Sequence, residues 1–429
     1  MNTVVIEPLA RVEGHGGITV EMEGDAVKNV RFDVLEGARL LEPLVRGKRY
    51  DELAPILSRI CSICSVAHTL TSLKATENAL GIRVSPQTEL LRELLFRGES
   101  IESHALHLIL LALPDYLGYP SATALAADKP DAVTLGLRLK KMGNRILETV
   151  GGRAVHPVNA VPGGFGRVPS AEQLIELRAS LIEAVADAET MIDLIASLPA
   201  ADFCHCETLY AALRSPHADS YYAGDEVMLV ANGNQASVPA ADYRLFSGET
   251  AVRHSHAKHS TFRGRPFMVG ALARLTVNPW RLTGRLAAAM KRLNLVLPAG
   301  NPMDNNKAQA LELQSDVSRA LEMIEQLLRD GIKDERPVPS QPHAGTGTAI
   351  TEAPRGLLVH SYAFDHEGRV VSADVITPTA MNAASMEVHF RAAVEQCADR
   401  GEATISQRLQ MVARAYDPCI SCSVHLVRR

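Results

Sequence analysis

Apolar and polar positions alternate through residues 3–35 around a Gly24-Asp25 turn, the pattern of a β-hairpin or small sheet. A second alternating pair occupies 355–376 around Glu367-Gly368 and predicts another hairpin. Elsewhere the apolar positions recur at helical spacing, over 87–113, 128–150, 170–197, 303–330 and 383–413. Asp304 stands where it would cap the fourth of these helices. The stretch 331–349, rich in Pro, Gly and Thr, reads as a loop. No repeat or low-complexity segment interrupts the pattern. The expected fold is α+β by content and mainly α, a long-helix bundle core with small peripheral β-sheets.

Composition narrows the function classes. A chain of 429 residues with 46% apolar content can fill a sizeable core, and 4% aromatics make that core largely aliphatic. A net charge of −5 argues against a nucleic-acid partner. The start, MNTVVIEPLARVEGH, has neither the basic region nor the apolar run of a secretory signal. The apolar stretch Ala105–Leu113 falls far short of the roughly 20 residues that span a bilayer. A cytoplasmic protein without direct membrane insertion is expected.

The chemistry lies in the cysteines. Two Cys-x-x-Cys pairs stand near opposite ends, Cys61 and Cys64 in RICSICSVAH, Cys419 and Cys422 in DPCISCSVH. Each has a His close behind, His68 and His425. Four of only seven cysteines are spent this way. Thiolates are soft metal ligands, and this spacing puts both sulfurs of a pair on one side of a turn or helix start. Structural zinc is the alternative, but zinc ribbons keep their pairs roughly 15–20 residues apart. A disulfide framework is disfavoured by the odd count and the length of the chain. If the pairs share a metal, both ends belong to one cooperative unit, a single domain over 1–429.

With these motifs stand ARVEGHGGI at 10–18, HPVNAVPGG at 156–164, VGALARL at 269–275, EAPRG at 352–356 and TPTAMN at 377–382. Together, and in this order, they resemble the large, catalytic subunit of nickel–iron hydrogenases over nearly the whole chain. Ser62 within RICSIC points to the cytoplasmic branch, most like the alpha subunit of NADP-linked hydrogenases, also called sulfhydrogenases. The resemblance implies that family's large-subunit fold, a bundle of long helices carrying the metals in its middle.

The resemblance also implies a site. Cys61 and Cys419 would be terminal nickel ligands, and Cys64 and Cys422 would bridge to an iron that carries CO and cyanide. Arg355 would lie over the open face of the metals, oriented by Asp115 and Asp417. Thr379, and the backbone near Pro354, would donate to cyanide. His68 would donate to a bridging sulfur. Cys419 would first accept the proton from hydrogen, and Glu13 would hand it outward. Glu42, His425 and a backbone carbonyl near Ala383 would bind magnesium.

Partners follow in the same way. No dinucleotide fingerprint survives inspection, because GGFGRV follows no strand and opens no helix, and too few cysteines remain for iron–sulfur clusters. The family supplies an iron–sulfur small subunit, and the NADP-linked group adds flavin- and NAD(P)-binding subunits and further iron–sulfur subunits. Nickel-insertion proteins and a maturation protease would act on the chain, the protease removing a tail of 426–429 beyond His425. Rival readings are a deazaflavin-reducing or heterodisulfide-reductase-linked hydrogenase, a metal-free scaffold subunit, and a zinc-held structural protein. Two tempting clusters read as structural: HSHAKH at 254–259 falls where the family has a structural segment, and Cys204-His205-Cys206 has no partner motif nearby.

Overall fold

The computed structural model describes residues 2–37, 40–215 and 220–424. The expected first hairpin is present as a three-stranded antiparallel sheet of β1 (Asn2–Ile6), β2 (Gly16–Glu23) and β3 (Ala26–Val34). The helical core follows: α1 (Ser65–Leu80), α2 (Pro86–Leu106), α3 (Pro130–Gly151) and α4 (Ala171–Ala196). Ser85 and Ser170 cap α2 and α4 through their side chains, each leading into the run whose spacing predicts a helix. Gly143 lets α2 and α3 cross closely. A Cβ there would meet the Gly98 carbonyl oxygen at 2.4 Å and the Glu102 nitrogen at 2.7 Å.

A second antiparallel sheet, β4 (Tyr210–Arg214), β5 (Glu226–Ala231) and β6 (Asn234–Pro239), precedes the short strand β7 (His259–Thr261). After α5 (Ala271–Val277) comes the long central helix α6 (Asn305–Asp330). The third sheet is β8 (Gly345–Ala353), β9 (Gly356–Phe364) and β10 (Val370–Ile376). The chain closes through α7 (Pro378–Glu395), α8 (Glu402–Ala415) and the one-turn α9 (Ile420–Ser423). The mainly helical fold with small antiparallel sheets agrees with the reading of the sequence. No helix among the described residues is long and apolar enough to cross a membrane.

Four local expectations need correction. The run 383–413 is two helices, separated at Cys397–Arg400 and at Gly401, whose φ of 80° ends the turn. Asp304 makes no side-chain cap; Asn301 caps the preceding turn instead, accepting from the Met303 N–H. The loop over 331–349 gives way at Gly345 to β8, whose Thr and Ala residues pair with β9. The first helical run is also not uniform, since α2 passes at His107 into a wider π-helical turn through Ala112.

Candidate metal centre

The first cysteine pair sits where the chain turns into α1. Cys61 is extended, the Cys64 N–H points at the Cys61 sulfur at 3.2 Å, and Cys64 occupies the cap position of α1. The Glu99 carboxyl group, reaching over from α2, accepts from the Val66 and Ala67 N–H groups at 2.7 and 3.0 Å. It thereby satisfies two of the four donors that a helix start leaves open. Burial drives the Glu99 pKa well above the usual carboxylate range, against the pull of those two N–H groups.

The second pair is assembled from distant segments. Asp417 turns the chain with a φ of 51°. The Cys419 N–H donates to Thr379 Oγ1 at 2.9 Å, and the Ile420 N–H donates to the Glu13 carbonyl at 2.9 Å. Gly14 of RVEGH makes room for this approach: its φ is +89°, and a Cβ would meet the Ser421 nitrogen at 2.7 Å. The Glu13 side chain then reaches the cysteine itself. Its Oε2 lies 3.0 Å from the Cys419 sulfur and accepts from the Ser421 N–H at 3.1 Å, while Oε1 accepts from the Ser421 hydroxyl.

The two pairs meet. Cys61 Sγ lies 3.3 Å from Cys419 Sγ, Cys64 Sγ 3.7 Å from Cys422 Sγ, and Cys419 Sγ 2.8 Å from Cys422 Sγ. All four are buried, free thiols within 4.8 Å of one another. Four soft donors around one point form a metal site, whereas two disulfides would need sulfurs about 2 Å apart. Hydrogen bonds from Cys419, Cys422 and Cys64 pull the Cys61 thiol well below its usual range. The Cys64 thiol is pulled down by Cys419 and Cys422 but lifted more by Cys61 and by burial, to about 11. Burial raises Cys419 and Cys422 further. Without cations Cys64, Cys419 and Cys422 hold their protons; bound divalent metals are what would let all four sulfurs ionise.

Arg355 supplies positive charge beside the sulfurs. Its Nε donates to the Asp417 carbonyl at 2.7 Å, and Nη2 to Asp417 Oδ1 at 2.9 Å. Burial alone would lower its pKa, but Asp417 and the sulfurs of Cys419, Cys64 and Cys61 outweigh burial and hold it charged. The tight β8–β9 turn that presents Arg355 is held by the buried Arg274 of VGALARL. That guanidinium donates to the carbonyls of Ala353 and Pro354, each at 2.9 Å, and to Glu352 at 3.1 Å. Glu312 on α6 takes its remaining donors at 2.6 and 2.8 Å. Asn382 of TPTAMN accepts from the Val269 N–H at 2.9 Å, which binds a third motif into the same frame.

Two expected contacts differ. Asp115 is paired with Arg414, at 2.7 Å from both carboxylate oxygens, and with Arg11, rather than with Arg355. Two guanidiniums thus claim that carboxylate, and it anchors the ARVEG segment while Asp417 is the carboxylate that orients Arg355. His68 Nδ1 meets His360 Nε2 at 3.1 Å, and no hydrogen bond from its ring to Cys64 is present among the described residues. Burial lowers the His68 pKa to about 4, so its ring is neutral. Glu42 accepts from the Val375 N–H at 2.8 Å and is pushed up by burial, with Asp374, Lys258 and Glu249 near it. Ala383 is buried on α7. His425 and the 426–429 tail lie outside the described residues.

Several site residues escape the sequence reading. Glu99 and Ser103 are read there only as positions of a helical run, and Gln309 as part of the next. Yet Gln309 donates to Asp417 Oδ2 at 3.2 Å, and Arg355 Nη1 lies 3.5 Å from Ser103 Oγ. The one available signal is a set of polar residues on long helices whose partners lie elsewhere in the chain.

The pattern of the family described as nickel-dependent hydrogenase matches residues 39–141 and 211–425, and a HoxL-like pattern matches 3–36. The alpha subunit of sulfhydrogenase 1 from Pyrococcus furiosus is 40% identical over 426 residues, covering 99% of this chain and 98% of that one. The chain belongs to the nickel-dependent hydrogenases. It is a hydrogenase large subunit, and its four converging cysteines form the nickel–iron site. The alpha subunit of sulfhydrogenase 2 from the same organism is 38% identical over 426 residues, covering 99% of each chain. A crystal structure of an NAD+-reducing [NiFe]-hydrogenase in the H2-reduced state superposes with a TM-score of 0.90 at 27% identity, covering 99% of this chain and all of the other. The hydrogenase large-subunit reading of the motifs, sulfhydrogenase alpha subunits among its relatives, is thereby borne out.

Proposed function

We propose that this large subunit cleaves and forms hydrogen reversibly within a larger complex that passes the electrons through an iron–sulfur partner to NAD(P). The observation that carries the reading is the contact of Glu13 Oε2 with the Cys419 sulfur, 3.0 Å apart beside the charged Arg355. Nickel and iron, when bound, would supply the heterolytic splitting of hydrogen; Cys61 and Cys419 would hold the nickel, and Cys64 and Cys422 would hold both metals. Cys419 sulfur accepts the proton. Glu13 takes it across the 3.0 Å contact and carries it toward the surface, since its side chain is half-buried while the cysteine is enclosed. Ser421 holds the carboxylate in place through its N–H and hydroxyl.

Arg355 offsets the negative charge of thiolates and cyanides in a water-poor site. Asp417 fixes the guanidinium plane. Thr379 Oγ1 accepts from the Cys419 N–H and so keeps its own proton free to donate to a cyanide nitrogen. A magnesium ion at Glu42, the Ala383 carbonyl and His425 belongs to the same reading, supported by a buried carboxyl group whose charge calls for a cation.

The electron route is argued from what remains. Cys204, Cys206 and Cys397 are the cysteines outside the centre. Cys204 and Cys397 donate to the carbonyls of His389 and Ala393, and no cluster-forming group contains any of the three among the described residues. The NAD+-reducing structure at TM-score 0.90 favours a nicotinamide acceptor over a deazaflavin. The complex purified with all its subunits should reduce NADP or NAD under hydrogen and contain flavin and iron–sulfur subunits by mass spectrometry. A complex that reduces only a deazaflavin or a disulfide would overturn the nicotinamide assignment.

A further inference from the structure

We propose that His254, His259 and Glu387 form a second metal site, separate from the cysteine centre, that takes a divalent transition ion of the zinc class. One ligand atom from each of the three lies within 4.8 Å of the others. His254 Nε2 is 2.8 Å from Glu387 Oε1, and His259 Nε2 is 3.8 Å from the same oxygen. A tetrahedral ion about 2.0–2.2 Å from each donor separates its ligand atoms by roughly 3.3 Å, and the two observed distances bracket that value.

A simple hydrogen bond accounts for His254 and Glu387 but leaves His259 unexplained. Its side chain is 9% exposed, and its Nε2 is buried with no hydrogen-bond partner among the described residues, although it faces the carboxylate. Buried polar nitrogens are rarely left so. A bound ion would satisfy it. Two imidazoles and one carboxylate are a donor set suited to zinc, with a fourth position left for water. His254 and Glu387 are 24% and 20% exposed, so water and an ion can reach that position.

The surroundings show what such an ion would do. Glu387 lies on α7, whose first turn carries Thr379, and its Oε1 also accepts from the Phe32 N–H of β3 at 2.9 Å. The His256 N–H donates to the Val34 carbonyl at 3.0 Å. Between the two histidines, Ala257 pairs with Val424, two residues beyond Cys422. An ion here would clamp β3, α7 and the 254–259 loop together, beside the segment that holds the second cysteine pair. Lys258 in the same loop turns away from the three donors, to Glu249 at 2.8 Å, and this pair lies near Glu42.

The test uses the nickel- and iron-loaded complex with its partner subunits, equilibrated with zinc alone and freed of excess by gel filtration. Wild type should keep one zinc per large subunit more than the His254→Ala/His259→Ala double variant, with nickel and iron equal in both. Zinc-edge absorption should show nitrogen and oxygen ligands. His254→Ala alone, at a partly exposed position that folding tolerates, should weaken zinc binding at least ~100-fold, the upper end of the cost of losing even an outer-shell partner. Equal zinc in wild type and the single variant, no zinc retained by wild type, or zinc surrounded by sulfur would each overturn the proposal.

Discussion

The two halves of the cysteine centre are built in opposite ways. Cys61 and Cys64 stand at the start of the 16-residue α1, buried on nearly every side and capped by Glu99 from inside the core. Cys419 caps, and Cys422 lies on, a four-residue helix that could not hold a shape alone. Glu13, Thr379 and Arg355 hold it, from segments 406, 40 and 62 residues away. The first half is fixed by a helix; the second is fixed by the groups to which the proposed function assigns the handling of charge and protons. Support and chemistry are therefore separable on one side and merged on the other.

That difference can be broken by substitution. Cys61→Ser and Cys419→Ser should both reduce hydrogen turnover to background, since each removes one of the four sulfurs of the nickel–iron site; full activity in either would end the assignment. Glu13→Gln keeps the shape and the contact to Ser421 but carries no proton by ionising. Hydrogen/deuterium exchange should drop by about 10²–10⁴-fold while nickel and iron content stays unchanged. An exchange rate close to wild type would take Glu13 out of the relay. Glu99→Ala, on the other half, should lower stability by about 1–3 kcal/mol by orphaning two buried N–H groups, with the exchange rate per bound nickel kept. Loss of exchange at full metal content would show that the first half is not merely a support.

An effect confined to pH dependence concerns the frame behind Arg355. Burial raises the Glu352 pKa from 4.5 to about 7, against the lowering by Arg274 and the Leu213 N–H. Between those values the folded protein keeps a proton that the unfolded chain has released. Stability should therefore fall as pH rises from 4.5 to 7, by up to about 3 kcal/mol. Glu352→Gln should flatten that slope in denaturation curves of the intact complex. An unchanged slope would assign the pH dependence to other groups.

Much of this was legible in the sequence where a pattern is local. Helix α3 buries one stripe, Leu135, Leu139, Met142 and Ile146, and its spacing shows it. Helix α1 left no such stripe, because polar Thr71, Ser72 and Thr76 are buried along with its apolar residues. The sheet β4–β6 was too short to stand out. The break at Gly401 was masked by apolar positions that keep helical spacing on both sides. In the site, the cysteines, Arg355 and Glu13 carried motif signatures. Glu99, Gln309 and Glu387 carried none, since each is defined by a partner on another element, and Asp115 had two arginines nearer than the expected one.

The central claim is that the two halves together hold one nickel and one iron bearing CO and cyanide. Metal analysis of the purified complex, joined to its infrared spectrum, tests this most directly. The account predicts one nickel and one iron held by the cysteine centre of each large subunit, beyond the iron of the partner clusters, with infrared bands of CO and cyanide that vanish together in Cys419→Ser. Zinc in place of nickel, with no such bands in active preparations, would contradict it.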